Sequence, residues 1–185
     1  MEDLIILGAG TMAQEVTASC RNQYNVVGYG VSQGWQQGST LYDKPIYNLE
    51  QLAQWAGKVR AVRGIFHSCL EFMREVEAMG FEFASVIDPS ASVADSTTIE
   101  GGTFVNRLVA IGCHGIIGRY VLLNRGCLIG HHCRIEAGAT FGPGVNIASS
   151  GRVGEDAFIG MGAIIIENIT IEAGRQVRAR SLIVR

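Results

Sequence analysis

From residue 85 onward the chain repeats itself every six residues. Read in hexads, the third position is Ile87, Val93, Ile99, Val105, Ile111, Ile117, Leu123, Ile129, Ile135, Phe141, Ile147, Val153, Ile159, Ile165 and Ile171, with Val177 in the same frame. Each is Ile, Leu or Val except Phe141, and the register never slips. Two positions earlier the residue is usually small, as at Ala91, Thr97, Cys127, Cys133, Ala139, Gly151, Ala157 and Ala163. An amphipathic helix spaces its apolar residues by three and four, so this pattern is not helical. It predicts a short strand and a corner per hexad, with the aliphatic residue and its small partner pointing inward. A single hexad cannot bury its apolar side chain, but stacked coils build a continuous core from ladders of like residues. With three hexads per coil, residues 18 apart stack, and one inward ladder reads Val93, Ile111, Ile129, Ile147, Ile165. The period does not give the hand of the helix.

Residues 1 to 84 follow another rule. Leu4-Ile5-Ile6-Leu7 reads as a short buried strand, followed by Gly8-Ala9-Gly10-Thr11-Met12-Ala13 and a helical stretch through about Cys20. Val26 to Tyr29 reads as a second strand, Ser32 to Tyr42 as loop, and Val62 to Phe66 as a further strand between helices near Leu49–Trp55 and Cys69–Met79. Strands alternating with helices predict a small parallel sheet with crossover connections, a Rossmann-like α/β subdomain. Its boundary with the β-helix is expected at 84/85. The glycine turn between strand and helix fits a phosphate-binding fingerprint at a helix N-terminus. Two readings of Gly8, Gly10, Thr11 and Met12 stay open: a site for a nucleotide-sugar phosphate, or a tight turn and nothing more. The second strand is followed by Gly30-Val31-Ser32, without the acid that holds a dinucleotide's ribose, which argues against a nicotinamide dehydrogenase.

Composition excludes several classes. A formal net charge of -2 with 17% charged and 8% aromatic residues gives no basic field for a nucleic acid. Five cysteines, Cys20, Cys69, Cys113, Cys127 and Cys133, contain no CxxC and suggest neither a zinc knuckle nor a disulfide framework. The N-terminus begins MEDLIILGAG, unlike a signal peptide, and no stretch approaches the roughly 20 apolar residues of a membrane span. A cytoplasmic protein is expected.

Chemistry falls to the histidines. His67, at a strand end beside Phe66, reads as a structural residue. His114, His131 and His132 lie on the repeat, where Cys113, His131 and Ser149 form one column and His114, His132 and Ser150 the next. Both columns fall at or near a corner. An imidazole there has the pKa range of a general base for acyl transfer from a thioester, and backbone N–H groups can hold the oxyanion. A pair of polar surface residues at a turn is the other reading. A metal site is disfavoured, because adjacent residues on a strand or turn point apart.

The run LIILGAG, the transition SVIDPSASVADSTTIEGG and the segment NRGCLIGHHCRI together resemble the PglD/NeuD type of sugar N- and O-acetyltransferases, nearly end to end. That resemblance implies a left-handed β-helix, a homotrimer, acetyl-CoA bound between adjacent β-helices, and an N-terminal domain holding a nucleotide sugar. It implies His131 as the base deprotonating the acceptor, with His132 beside it where the family has an acid. Asn124 would shape the acetyl pocket, and Ser149, Gly160, Met161 and Ala179 would line the coenzyme. The chain departs from the family pattern at Met12, at His132, at Thr140 and in the tail containing Arg178 and Arg180. Two alternatives to acetyl transfer onto an amino sugar or small alcohol therefore remain: a scaffold that kept the prism and lost the site, or covalent acyl transfer through Cys113 with His131.

Overall fold

The computed structural model describes residues 1–34 and 38–184. The N-terminal part runs β1 (Glu2–Leu7), α1 (Thr11–Cys20), β2 (Tyr24–Gly30), β3 (Thr40–Leu41), β4 (Lys44–Tyr47), α2 (Leu49–Leu52) with a 3₁₀ turn at Ala53–Trp55, β5 (Arg60–Arg63), α3 (Leu70–Ala78) and β6 (Glu82–Phe83). Its sheet has the order β3-β4-β2-β1-β5-β6, parallel except for the β3–β4 hairpin.

Two expectations need correction, and one strand was not anticipated. The segment 32–42 is not all loop, since it contains β3; its residues 35–37 lie outside the described residues. β4 escapes notice because Pro45 argues against a strand, yet only Ile46 and Tyr47 pair with β2, so Pro45 gives up no hydrogen bond on that side. β5 ends at Arg63 rather than Phe66. The Arg63 side chain turns back to donate to the carbonyls of Ile65 and His67, which curls residues 64–67 into a tight loop.

From Val86 to Ile183 the chain forms two-residue strands stacked into three parallel sheets, each residue pairing with the one 18 positions on. The inward aliphatic ladder predicted from the period is buried: Ile111, Ile129, Ile147 and Ile165 belong to one core with Cys127, Cys133, Ala139, Ala157 and Ala163. Every sixth residue from Gly102 to Arg180 has positive φ. That is the corner, and it explains why glycine is the commonest residue at this position. At Gly112 and Gly130 the requirement is different: a Cβ would lie 2.7 Å from the amide nitrogen of His131 or Ser149 in the coil above.

The outward residues give the three faces different characters. On the first, Val86, Phe104, Leu122 and Thr140 are buried because the N-terminal part covers them; Phe104 and Leu122 share a core with Leu4, Val16 and Val62. On the second, Ala110, Leu128, Asn146, Ile164 and Leu182 face outward, with Leu128 50%, Ile164 46% and Leu182 62% exposed. The third presents Thr98, Ile116, Arg134, Arg152 and Thr170.

Candidate functional site

The glycine turn after β1 is shaped by contact. Gly8 has φ +128°, and a Cβ there would stand 2.4 Å from the carbonyl oxygen of Gly64. Gly64 in turn donates its N–H to the Leu7 carbonyl, at 2.7 Å. Close backbone approach, not phosphate, is thus enough to require glycine at position 8. Gly10 differs. A Cβ on it would meet nothing within 4 Å, and it caps α1 without any side-chain hydrogen bond. The first amides of α1 therefore open onto a hollow with no intrahelical acceptor. That hollow holds about 320 Å³ and is lined by Gly8 to Met12, Val31, Ser32 and residues 64–67.

A second hollow of about 460 Å³ adjoins it on the β-helix, lined by Gly142, Pro143, Phe158, Gly160, Met161 and Arg178 among others. Phe66 lines both. Its ring stands edge-on to Phe158, with centroids 5.6 Å apart, so it forms the wall between a cleft on the N-terminal sheet and a groove along one prism corner. Of the residues expected to line a coenzyme, Gly160, Met161 and Ala179 lie in this groove. Asn124 belongs to the same corner two coils below Gly160. It is buried, and its Oδ1 accepts from Asn106 Nδ2 at 3.1 Å and from the Arg125 amide at 2.8 Å.

His131, His132 and Ser149 do not join them. They occupy the neighbouring corner, across the second face from the groove. His131 and His132 are exposed, with their Nδ1 atoms 2.9 Å apart. Such a bond requires one Nδ1 to carry hydrogen and the other to be bare. If His131 donates, its Nε2 has a free lone pair, which is the tautomer a general base needs. His132 accepts that hydrogen bond without contributing negative charge. The His114 ring packs on His132 with centroids 4.9 Å apart. Among the described residues no group of three or more His, Cys, Asp or Glu could hold a metal ion, and no helix is long and apolar enough to cross a membrane.

The cysteines sort by burial. Cys127 and Cys133 fill the small inward positions, and burial pushes the Cys127 thiol up to about 11. Cys113 is exposed, and its carbonyl accepts from the His132 amide at 2.9 Å, one coil below the histidine pair.

Two residues were misjudged or missed from the sequence. His67 is not a packed structural residue: its side chain is exposed at the cleft wall, edge-on to Phe66. Arg63 is wholly buried. Its guanidinium donates to the carbonyls of Ile65 (2.8 Å), His67 (3.0 Å), Tyr120 (2.7 Å) and Gly138 (2.9 Å), and to Thr140 Oγ1 (2.5 Å). Burial pulls its pKa below the usual value, opposed by Cys69 and Asp156. The only sequence signal was a charged residue at the end of an apolar strand.

No family model matches the chain. GDP-perosamine N-acetyltransferase of Escherichia coli O157:H7 is 30% identical over 90 residues, which is 49% of this chain and 41% of that protein. The chain thus matches less than half the length of this curated relative. Among solved structures, the perosamine N-acetyltransferase of Caulobacter crescentus, crystallised with CoA and GDP-perosamine, superposes with a TM-score of 0.91 at 28% identity. The match covers 100% of this chain and 90% of that one. The acetyltransferase domain of PglB from Neisseria gonorrhoeae FA1090, bound to acetyl coenzyme A, has the same fold, with a TM-score of 0.84 at 21% identity over 98% of this chain and 92% of its own. These likenesses agree with the stacked parallel sheets of the β-helix.

Proposed function

We propose that this chain, which belongs to the PglD/NeuD-type family of sugar acetyltransferases, moves the acetyl group of acetyl-CoA onto the amine of a nucleotide-linked amino sugar. The observation that carries the reading is the shared wall at Phe66: a cleft at a helix N-terminus and a groove along the β-helix adjoin, as an acceptor site and a donor site must. Residues 1–84, in this reading a Rossmann-like subdomain, hold the nucleotide through Gly8, Gly10, Thr11 and Met12. Residues 85–185, a left-handed β-helix as in the family, hold the coenzyme through Gly160, Met161 and Ala179 in the groove, with Asn124 shaping the corner and Arg178 beside the pantetheine path, and with Ser149 supplied from the histidine corner of a neighbouring protomer.

His131 Nε2 takes the proton from the acceptor nitrogen as that nitrogen attacks the thioester carbon. The carbon–sulfur bond breaks as the tetrahedral intermediate collapses, the CoA sulfur leaves with a proton, and backbone amides at the groove hold the oxyanion meanwhile. His132 is a positioning residue, accepting the Nδ1–H of His131 and so fixing its tautomer. It offers a neutral acceptor to a ring that becomes cationic. His132→Asp is therefore expected to raise kcat by about tenfold, since a carboxylate makes a stronger charge-assisted bond and Asp tolerates left-handed backbone. His132 has φ +58°, which favours Asp over Glu here. Steady-state kinetics at saturating acetyl-CoA would check it; an unchanged or lower kcat counts against the positioning role.

The separation of base and groove on two corners is accounted for by assembly. Between them lies the face exposing Leu128, Ile164 and Leu182. A homotrimer that buries this face sets the histidine corner of one protomer against the groove of its neighbour. Leu128→Asp with Ile164→Asp, both outward-facing and remote from the inward ladder, should give folded monomers by sedimentation velocity and abolish turnover at the same concentration. An unchanged oligomer would assign assembly to another face.

The reading is tested by incubating the protein with acetyl-CoA and GDP-perosamine, following thiol release and the mass of the sugar product. Absence of acetyl-CoA binding in a calorimetric titration would leave a scaffold instead. An acyl adduct on Cys113, together with loss of activity in Cys113→Ser, would replace direct transfer with a covalent route.

A further inference from the structure

Among the described residues lining the cleft at the α1 N-terminus, His67 alone has a side chain that can carry charge. The others offer backbone amides, the hydroxyls of Thr11 and Ser32, and apolar surface from Ala9, Met12, Val31, Ile65 and Phe66. A nucleoside diphosphate brings at least two negative charges into such a hollow, and helix amides compensate only part of them. His67 lines the same hollow as those amides and lies on the β5–α3 loop.

The loop is held on every side, which separates His67 from an ordinary surface histidine. Arg63 Nη2 fixes its carbonyl at 3.0 Å, and Arg63 Nε fixes that of Ile65 at 2.8 Å. The ring is edge-on to Phe66 at 5.9 Å, and Phe66 is edge-on to Phe158 of the β-helix at 5.6 Å. On the far side, Ser68 Oγ donates to Asp156 Oδ2 at 2.6 Å. An exposed imidazole on a backbone restrained by these bonds loses less entropy on binding an anion than one on a free loop.

Resting on the acetyltransferase reading above, we propose that His67 is a binding residue for the diphosphate of the acceptor, donating a charge-assisted hydrogen bond alongside the α1 amides. His67 takes no part in proton transfer at the amine, which belongs to His131. It therefore governs how tightly the nucleotide end of the acceptor is held.

Titration of the full chain with GDP tests this, alongside His67→Ala and His67→Lys; the exposed side chain makes both variants safe for folding. Wild type should bind GDP, and His67→Ala should bind it about tenfold more weakly, the scale of one charge-assisted bond. His67→Lys should stay within about threefold of wild type because it restores a cation. With an amino-sugar acceptor, His67→Ala should raise the acceptor KM while leaving kcat and the acetyl-CoA KM in place. Equal GDP affinity in wild type and His67→Ala overturns the assignment, as does a lysine variant no better than alanine. A wild type that binds neither GDP nor UDP overturns the acceptor reading of the cleft itself.

Discussion

Replacing His131 by alanine is expected to lower kcat by about 10³-fold, within the range that removal of a general base produces. The substitution should leave the proposed trimer and the melting temperature essentially unchanged. The imidazole is exposed at a turn, and its removal opens no cavity in the inward ladder, so surface-scale effects on stability are expected. Acetyl-CoA affinity should be largely retained, because the groove residues Gly160, Met161 and Ala179 are left in place. Stopped assays of thiol release, with calorimetry of acetyl-CoA binding on the same sample, separate the two quantities. A variant that keeps wild-type kcat would transfer the proton to another group and end the role given to His131. His132→Ala should cost much less than His131→Ala, since it removes an orienting acceptor and not the base.

The second large effect is on stability. Arg63→Met is expected to destabilise the chain by about 3–5 kcal/mol, since each buried acceptor left without a donor costs about 1–3 kcal/mol. In a protein of 185 residues this lowers the melting temperature by roughly 10 °C, at about 2–4 °C per kcal/mol. The reason lies in what is left behind. Methionine fills much of the volume, but the carbonyls of Ile65, His67, Tyr120 and Gly138 and the hydroxyl of Thr140 lose their donor together. Unpaired buried acceptors are the costly part. Arg63→Lys should recover only a fraction, because an ammonium with three donors cannot match a planar fork spread over two structural parts. Thr140→Val provides a milder check, with an expected loss of about 1–2 kcal/mol for the two hydrogen bonds of its hydroxyl, one accepted from Arg63 and one donated to the Gly138 carbonyl. Thermal unfolding by circular dichroism would read all three. An Arg63→Met protein as stable as wild type would mean that these contacts add nothing net.

Arg63 also links stability to function. Its partners belong to both parts of the chain: residues 65 and 67 on the cleft loop, 120, 138 and 140 on the β-helix. The same guanidinium therefore ties the N-terminal sheet to the first face of the prism and sets the backbone from which Phe66 and His67 project. A wall built this way keeps the cleft and the groove in fixed relation. The departure from the family pattern at Thr140 finds a structural use here, since its hydroxyl accepts from Arg63.

How much could be read beforehand follows from the range of the forces involved. The hexad period set the inward residues, the small partners beside them, the corners and the 18-residue stacking, because each coil repeats one local solution with its neighbour. The α/β order of the N-terminal part was legible for β1, α1, β2 and α3, whose strands and helices carry their own apolar patterns. β4 was hidden by Pro45, whose missing N–H matters only if the neighbouring strand asks for it. The end of β5 was hidden because a side chain, not a breaker residue, turns the chain there. Among the site residues, the column of Cys113, His131 and Ser149 was a matter of counting, and so was its position near a corner.

What counting could not supply was the arrangement of unlike pieces. That Phe66 walls both hollows depends on how one prism face packs under the N-terminal sheet. His67 and Arg63 are four residues apart in the chain, yet one is exposed at a cleft and the other sealed beneath it. Periodicity determined the β-helix because its stabilising contacts recur at one fixed separation. Only the tertiary structure decided the site, because its contacts join residues at separations that never repeat.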